Sequence, residues 1–141
     1  MKIAQKQSIE ELLQTPCWII DILPEQVPRD SQGQYFKIER YFMKEPQRTA
    51  VKQKHINLVL KVNCYKDLSL DERQTFNPSP EQIAEKLNTS TTFIMMDDAM
   101  LLSEPDDTYM TLFNPNESLL RLIRVLAGGE GLYVWNPERT E

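Results

Sequence analysis

Five carboxylates between positions 97 and 107, Asp97, Asp98, Glu104, Asp106 and Asp107, come nearest to chemistry by type and spacing. Carboxylate oxygens are the ligands that Mg²⁺, Mn²⁺ and Ca²⁺ prefer. Two such ions held together can support phosphoester hydrolysis. The spacing lacks the D-x-D-x-D-G rhythm and distal glutamate of a calcium-binding hand. Asp97-Asp98 and Asp106-Asp107 are adjacent pairs, whose members point to opposite faces if the chain is extended. Acidic residues between strands are also what solvation and turn geometry select. Three readings follow: a solvated loop, a metal site on Asp97, Asp98, Asp106 and Asp107, or an acidic recognition edge on all five for a basic partner. The solvated loop is the plainest. Met95, Met96, Met100 and Met110 surround this connection, and methionines suit adaptable binding surfaces as well as gaps in a core.

The opposite charge gathers upstream. From Lys37 to Lys66 there are eight basic and two acidic residues; from Asp71 to Glu117 there are two basic and ten acidic. Lys37, Arg40, Lys44, Arg48, Lys52 and Lys54 interleave with Tyr35, Phe36, Tyr41 and Phe42. Cations beside aromatic platforms can hold single-stranded nucleic acid. The same aromatics fit the core face of a strand, and the two charged halves can pair with each other or steer a charged protein partner. Sixteen basic against twenty-one acidic residues leave a net charge of −5 and a pI near 5.0, so a general nucleic-acid binder is disfavoured.

Other reactive types are sparse. Cys17 and Cys64 sit in apolar company and read as buried, reduced thiols. A Cys–His nucleophile pair would need His55, the only histidine, which reads as a helix surface or boundary position. No CxxC or HxxxH spacing supports zinc. Gly128-Gly129-Glu130-Gly131 follows a predicted helix instead of opening one, so its polarity is wrong for a phosphate cradle. It reads as a turn. No cofactor is expected.

These residues must be positioned by recognisable elements. Ser8-Ile9-Glu10-Glu11 has capping-box spacing and opens a short helix stopped by Pro16. Cys17 to Leu23 reads as a buried strand, closed by Pro24 and Pro28. From 34 to 43, alternation sets Phe36, Ile38 and Phe42 beside Arg40 on one face, and the spacing predicts a strand in preference to a helix grouping Tyr35, Ile38, Glu39 and Phe42. Helical spacing of Val51, His55, Ile56, Val59, Leu60 and Asn63 predicts the longest helix, near 47–63. Ser79-Pro80-Glu81-Gln82 and Asn114-Pro115-Asn116-Glu117 announce two more, the second ended by Gly128-Gly129. Strands are expected at 65–70, 92–96, 100–103, 109–113 and 132–135, with Trp18 and Trp135 packed on theirs.

The elements define an α+β fold: one domain over 1–141, with a mixed or antiparallel sheet of five to six strands and three to four helices. The 141 residues are 40% hydrophobic and 26% charged, an ordinary globular balance. No apolar run approaches the roughly 20 residues of a membrane helix, and no signal core follows Met1. The expectation is a small, non-catalytic cytoplasmic protein that binds another protein. A divalent-metal-dependent hydrolase on the acidic connection and a nucleic-acid module on the basic stretch are the alternatives.

Overall fold

Seven strands form one antiparallel sheet in this computed structural model, which describes residues 8–71 and 75–137. The elements run α1 (Ile9–Leu12), β1 (Cys17–Asp21), a 3-10 turn (Arg29–Ser31), α2 (Gln32–Phe42) and α3 (Gln47–Asn63). There follow β2 (Ser69–Leu70), β3 (Thr75–Phe76), α4 (Pro80–Thr89), β4 (Thr92–Met96), β5 (Ala99–Ser103), β6 (Met110–Phe113), α5 (Glu117–Gly129) and β7 (Tyr133–Trp135). Across the sheet the order is β3-β2-β4-β5-β6-β1-β7. The α+β single-layer sheet with helices is as expected. The strand count exceeds the expectation because two-residue β3 pairs with β2 and adds an edge strand to the sheet.

Alternation along the strands sorts side chains to two faces. Ile94 and Met96 of β4 and Leu101 of β5 turn toward α3, α4 and α5, where they meet Leu58, Val59, Ile83, Leu87 and Ile123. Each such fully buried Leu or Ile contributes about 1.5–3 kcal/mol. Their neighbours Phe93, Met95, Met100 and Leu102 turn the other way, to a smaller cluster under the single turn of α1 through Leu12.

Helix starts follow local chemistry. Ser8 and Ser79 both form reciprocal capping boxes, with Glu11 and Gln82 respectively, and Pro80 fills the first turn of α4. The cap of α5 is Asn116, whose Oδ1 accepts from the Leu119 N–H at 2.8 Å. It is not Asn114, which sits two residues earlier in the left-handed region at φ 60. The end of α5 also differs from the glycine pair expected there. The helix runs through Gly129, and the left-handed residue is Gly131 at φ 79. The Leu132 N–H reaches the Ala127 carbonyl at 2.8 Å and the Gly131 N–H reaches Gly128 at 3.1 Å, the double bond of a Schellman ending.

Segment 34–43 corrects the strand reading: residues 34–42 lie within α2 and Met43 follows as its C-cap. Tyr35 and Glu39, four apart, are joined by a hydrogen bond from the phenol to the carboxylate at 3.3 Å, a pairing only a helix offers. The cysteines also differ from expectation. Cys64 is exposed just beyond α3 and Cys17 is half-buried, and neither forms a disulfide. Among the described residues, no helix is long and apolar enough to cross a membrane.

Candidate functional site

The acidic residues expected as one edge fall into two groups. Asp97 and Asp98 make the two-residue turn between β4 and β5, with Asp97 at φ 48. Glu104, Asp106 and Asp107 belong to the connection from β5 to β6. Between Asp98 and Glu104 lies roughly 20 Å of extended chain at ~3.4 Å per residue, so the groups cannot share an ion. Asp97 pairs with Lys66 at 3.1 Å, and Asp106 lies 4.0 Å from Arg48. These contacts join the basic and acidic halves directly. Among the described residues, no three His, Cys, Asp or Glu side chains converge as a metal ion requires.

The basic stretch divides as well. Arg48, Lys52 and His55 recur at i, i+4 and i+7 on α3 and all face the 104–108 connection. Arg48 donates to the carbonyls of Pro105 at 3.1 Å and Asn88 at 2.7 Å. The Lys52 ammonium donates to the Glu104 carbonyl at 2.6 Å and the Ser103 hydroxyl at 3.4 Å, and lies 3.2 Å from His55 Nδ1. Lys54 reaches the Glu130 carbonyl at 2.9 Å, and Lys61 meets the Glu130 carboxylate at 2.5 Å. Both cations thus complement the negative end of the α5 dipole. Burial pushes the Glu130 carboxyl up, but hydrogen bonds from Lys61 and Asn57, with the charges of Lys61 and Lys54, hold it below its ordinary pKa.

Lys52 and His55 are each fully buried, which corrects the surface or boundary position expected for His55 and removes Lys52 from the cations available to nucleic acid. Burial, reinforced by the Arg48 charge, brings the Lys52 pKa down to about 8, against the pull of Asp107, Asp106 and Glu104. Burial and the Lys52 charge bring His55 down to about 3, so its ring is neutral. With the amine donating to Nδ1, the ring proton sits on Nε2, which is buried beside the Thr108 backbone without a well-formed hydrogen bond. An amine of lowered pKa next to a neutral imidazole resembles a base or nucleophile pair. Here both are at 0% exposure, closed off from any substrate. An open cavity of about 310 Å³ lies elsewhere, lined by Arg124, Tyr133 and Val134 among others. The Arg48–Lys52–His55 row is a clamp holding the 104–108 connection on α3. Its burial had a legible signal: Lys52 and His55 lie inside the helical arc set by Val51, Ile56, Val59 and Val62.

A second group of shifted pKa values lies between β1, α2 and the start of β6. Burial raises Asp21 to about 6, opposed by hydrogen bonds from the Ile22 and Leu23 backbone and assisted by Glu39. Burial and Glu39 raise Tyr35 to about 12. Tyr109 and Asp107 are also raised, each mainly by burial. Trp135 Nε1 is buried beside Asp21 without full hydrogen-bond geometry. This acid-and-phenol layer underlies the inner side of α2, whose Tyr35 and Glu39 belong to it.

The outer side of α2 is different. Phe36 is 49% exposed, Ile38 46% and Tyr41 54%. On the helical wheel Arg40 and Lys37 fall between Phe36 on one flank and Tyr41 with Ile38 on the other, and Lys44 follows just past the end of α2. Among the described residues, none of these three cations forms an ion pair, whereas Arg48, Lys61, Lys66 and Lys86 all do. The two carboxylates adjacent to them in sequence are engaged elsewhere: Glu39 with Tyr35, and Glu45 with Thr49 and Arg48. The Tyr41 phenol accepts from Gln47 Nε2 at 2.8 Å, which fixes its ring at the edge of α3.

Comparison with protein families, with curated proteins and with solved structures gives no match to this chain. The functional reading therefore rests on the geometry above.

Proposed function

We propose that this chain is a non-catalytic protein that works by binding another protein, with the outer face of α2 as the docking surface. One observation carries the reading: three large apolar side chains, Phe36, Ile38 and Tyr41, stand about half exposed on a single helix of eleven residues. These three flank exposed cations instead of merging into one patch, and aromatic residues beside arginine are what interface centres favour. The groups best suited to chemistry, Lys52 and His55, are sealed inside and engaged in holding a connection. The acidic residues first considered as a recognition edge are divided between opposite ends of β5, and two of them already have basic partners.

The test is capture of the tagged chain's partner from its native host, followed by reconstitution of the complex from purified components. Phe36→Ser with Tyr41→Ser should abolish the reconstituted complex and leave the melting temperature near that of the wild type. A stoichiometric complex that forms equally well with this double variant overturns the assignment of α2.

A further inference from the structure

Building on α2 as the docking surface, we infer that its partner presents an acidic helix or strand edged by apolar side chains. The distribution of charge on α2 leads there. Lys37 and Arg40 lie in the middle of the outer face, Lys44 follows just past the end of α2, and none of the three forms an ion pair among the described residues, whereas Arg48 and Lys61 of α3, Lys66 beyond it and Lys86 of α4 each have one. An unneutralised row inside an acidic protein of net charge −5 is a local field of the sign that attracts carboxylates. The apolar residues flank the row on both sides. A complementary surface therefore has carboxylates along its centre and apolar groups to either side.

Two other polyanionic surfaces fit less well. A lipid bilayer takes up an amphipathic helix through one continuous apolar stripe with cations at its borders. On α2 that order is reversed, with cations in the middle and apolar groups apart. Single-stranded nucleic acid needs a cationic track with stacking rings along it. Here the cations from Lys37 to Lys44 span only about two turns, roughly 10 Å at helical rise, and Ile38 offers no ring. Beyond it, Arg48, Lys52 and Lys54 are turned inward to carbonyl groups, so no track continues. A protein segment of matching length is the occupant that suits both charge and shape.

The experiment uses the full chain and a displayed library of random peptides about 12 residues long, whose helical length of roughly 18 Å covers α2. Selection is made at low salt, with oligothymidylate and phosphatidylserine-containing vesicles measured in parallel. Enriched peptides should combine Asp or Glu with Leu, Phe or Trp. Their affinity should fall at least tenfold with Lys37→Glu, Arg40→Glu and Lys44→Glu together, and weaken as salt rises. Enrichment of neutral or basic peptides, or binding indifferent to the charge reversal, overturns the inference. So does binding of oligothymidylate or vesicles more tightly than any selected peptide. The two proposals fail separately. If Phe36→Ser with Tyr41→Ser abolishes peptide binding while the charge reversal leaves it intact, α2 docks a partner of different chemistry; if neither changes binding, the docking surface itself is wrong.

Discussion

Replacing Lys52 by methionine tests whether the α3 clamp holds a buried amine with a displaced pKa. In the folded chain that pKa lies at about 8 against an ordinary 10.5. The gap corresponds to about 3 kcal/mol at ~1.4 kcal/mol per pH unit. Between the two values the unfolded chain binds the proton and the folded chain does not. Stability therefore rises with pH across this window, and the full cost of the buried charge is present below about 8. From neutral pH to about pH 9.5 the wild type should recover roughly 2 kcal/mol. Methionine keeps most of the apolar stem and cannot titrate. It leaves the Glu104 carbonyl without its 2.6 Å donor, a loss of about 1–3 kcal/mol that the relief from charge burial offsets at neutral pH. Urea unfolding followed by the fluorescence of Trp18 and Trp135 gives both stabilities at each pH. The wild type should gain about 2 kcal/mol relative to Lys52→Met between the two conditions. A difference that stays constant with pH refutes the reasoning, because Lys52 would then titrate alike in the folded and unfolded chain.

The other buried groups make separate predictions. Asp21, raised to about 6, holds a proton in the folded chain at pH values where the unfolded carboxyl has lost it, so its contribution grows as pH falls from 6 toward 3.8. Asp21→Asn keeps an acceptor for the Ile22 N–H and should stabilise the chain by up to about 3 kcal/mol at neutral pH; an advantage that persists unchanged at pH 4 would refute the shift. His55, at about 3, acts in the opposite sense: the unfolded ring gains a proton below 6.5 and the folded one does not, so about 3 kcal/mol is lost between pH 7 and pH 4. Calorimetry of His55→Gln should show a flatter acid limb than the wild type, and coincident limbs would exclude His55 as the cause. Asn116→Ala removes the cap on the Leu119 N–H and should lower stability by about 1 kcal/mol and the melting temperature by roughly 3–4 °C. An unchanged melting temperature would mean that water replaces the cap fully.

What the sequence made legible follows from how local the deciding interaction is. Ser8, Ser79 and the apolar stripe of α3 give their signals within one or two helical turns, so α1, α4 and the 47–63 helix could be placed from residue types alone. Strand β4 was equally plain because burial alternates along it, and β5 and β6 read as short, mostly apolar runs. The caps of α5 were displaced by two residues at each end, since Asn114 and Asn116, or Gly129 and Gly131, offer the same chemistry and only the backbone decides between them. The grouping of acidic side chains failed for a longer-range reason. Closeness in sequence between Asp98 and Glu104 is undone by the intervening strand, which carries them to opposite ends of the sheet. Lys52 is grouped with the nucleic-acid cations because its type outweighs its position, although the helical arc around it is already apolar.

Segment 34–43 was misread for a different reason, and the misreading bears on function. Periodicity identifies an element only when apolar residues mark its buried side. On α2 the partly buried side holds Tyr35, Glu39 and Phe42, while Phe36, Ile38 and Tyr41 lie outside. Apolar residues on both sides give a helix the alternation of a strand. A helix stabilised only by its own chain would place polar groups where those three stand, and its 3.6-residue period would be visible. Conflict between local pattern and adopted structure concentrates at functional sites, where a residue is selected for something other than folding. The side chains that blur the period of α2 are the ones the folded chain leaves half in water beside unpaired cations. The same three residues therefore explain the failed strand reading and support a partner that covers them.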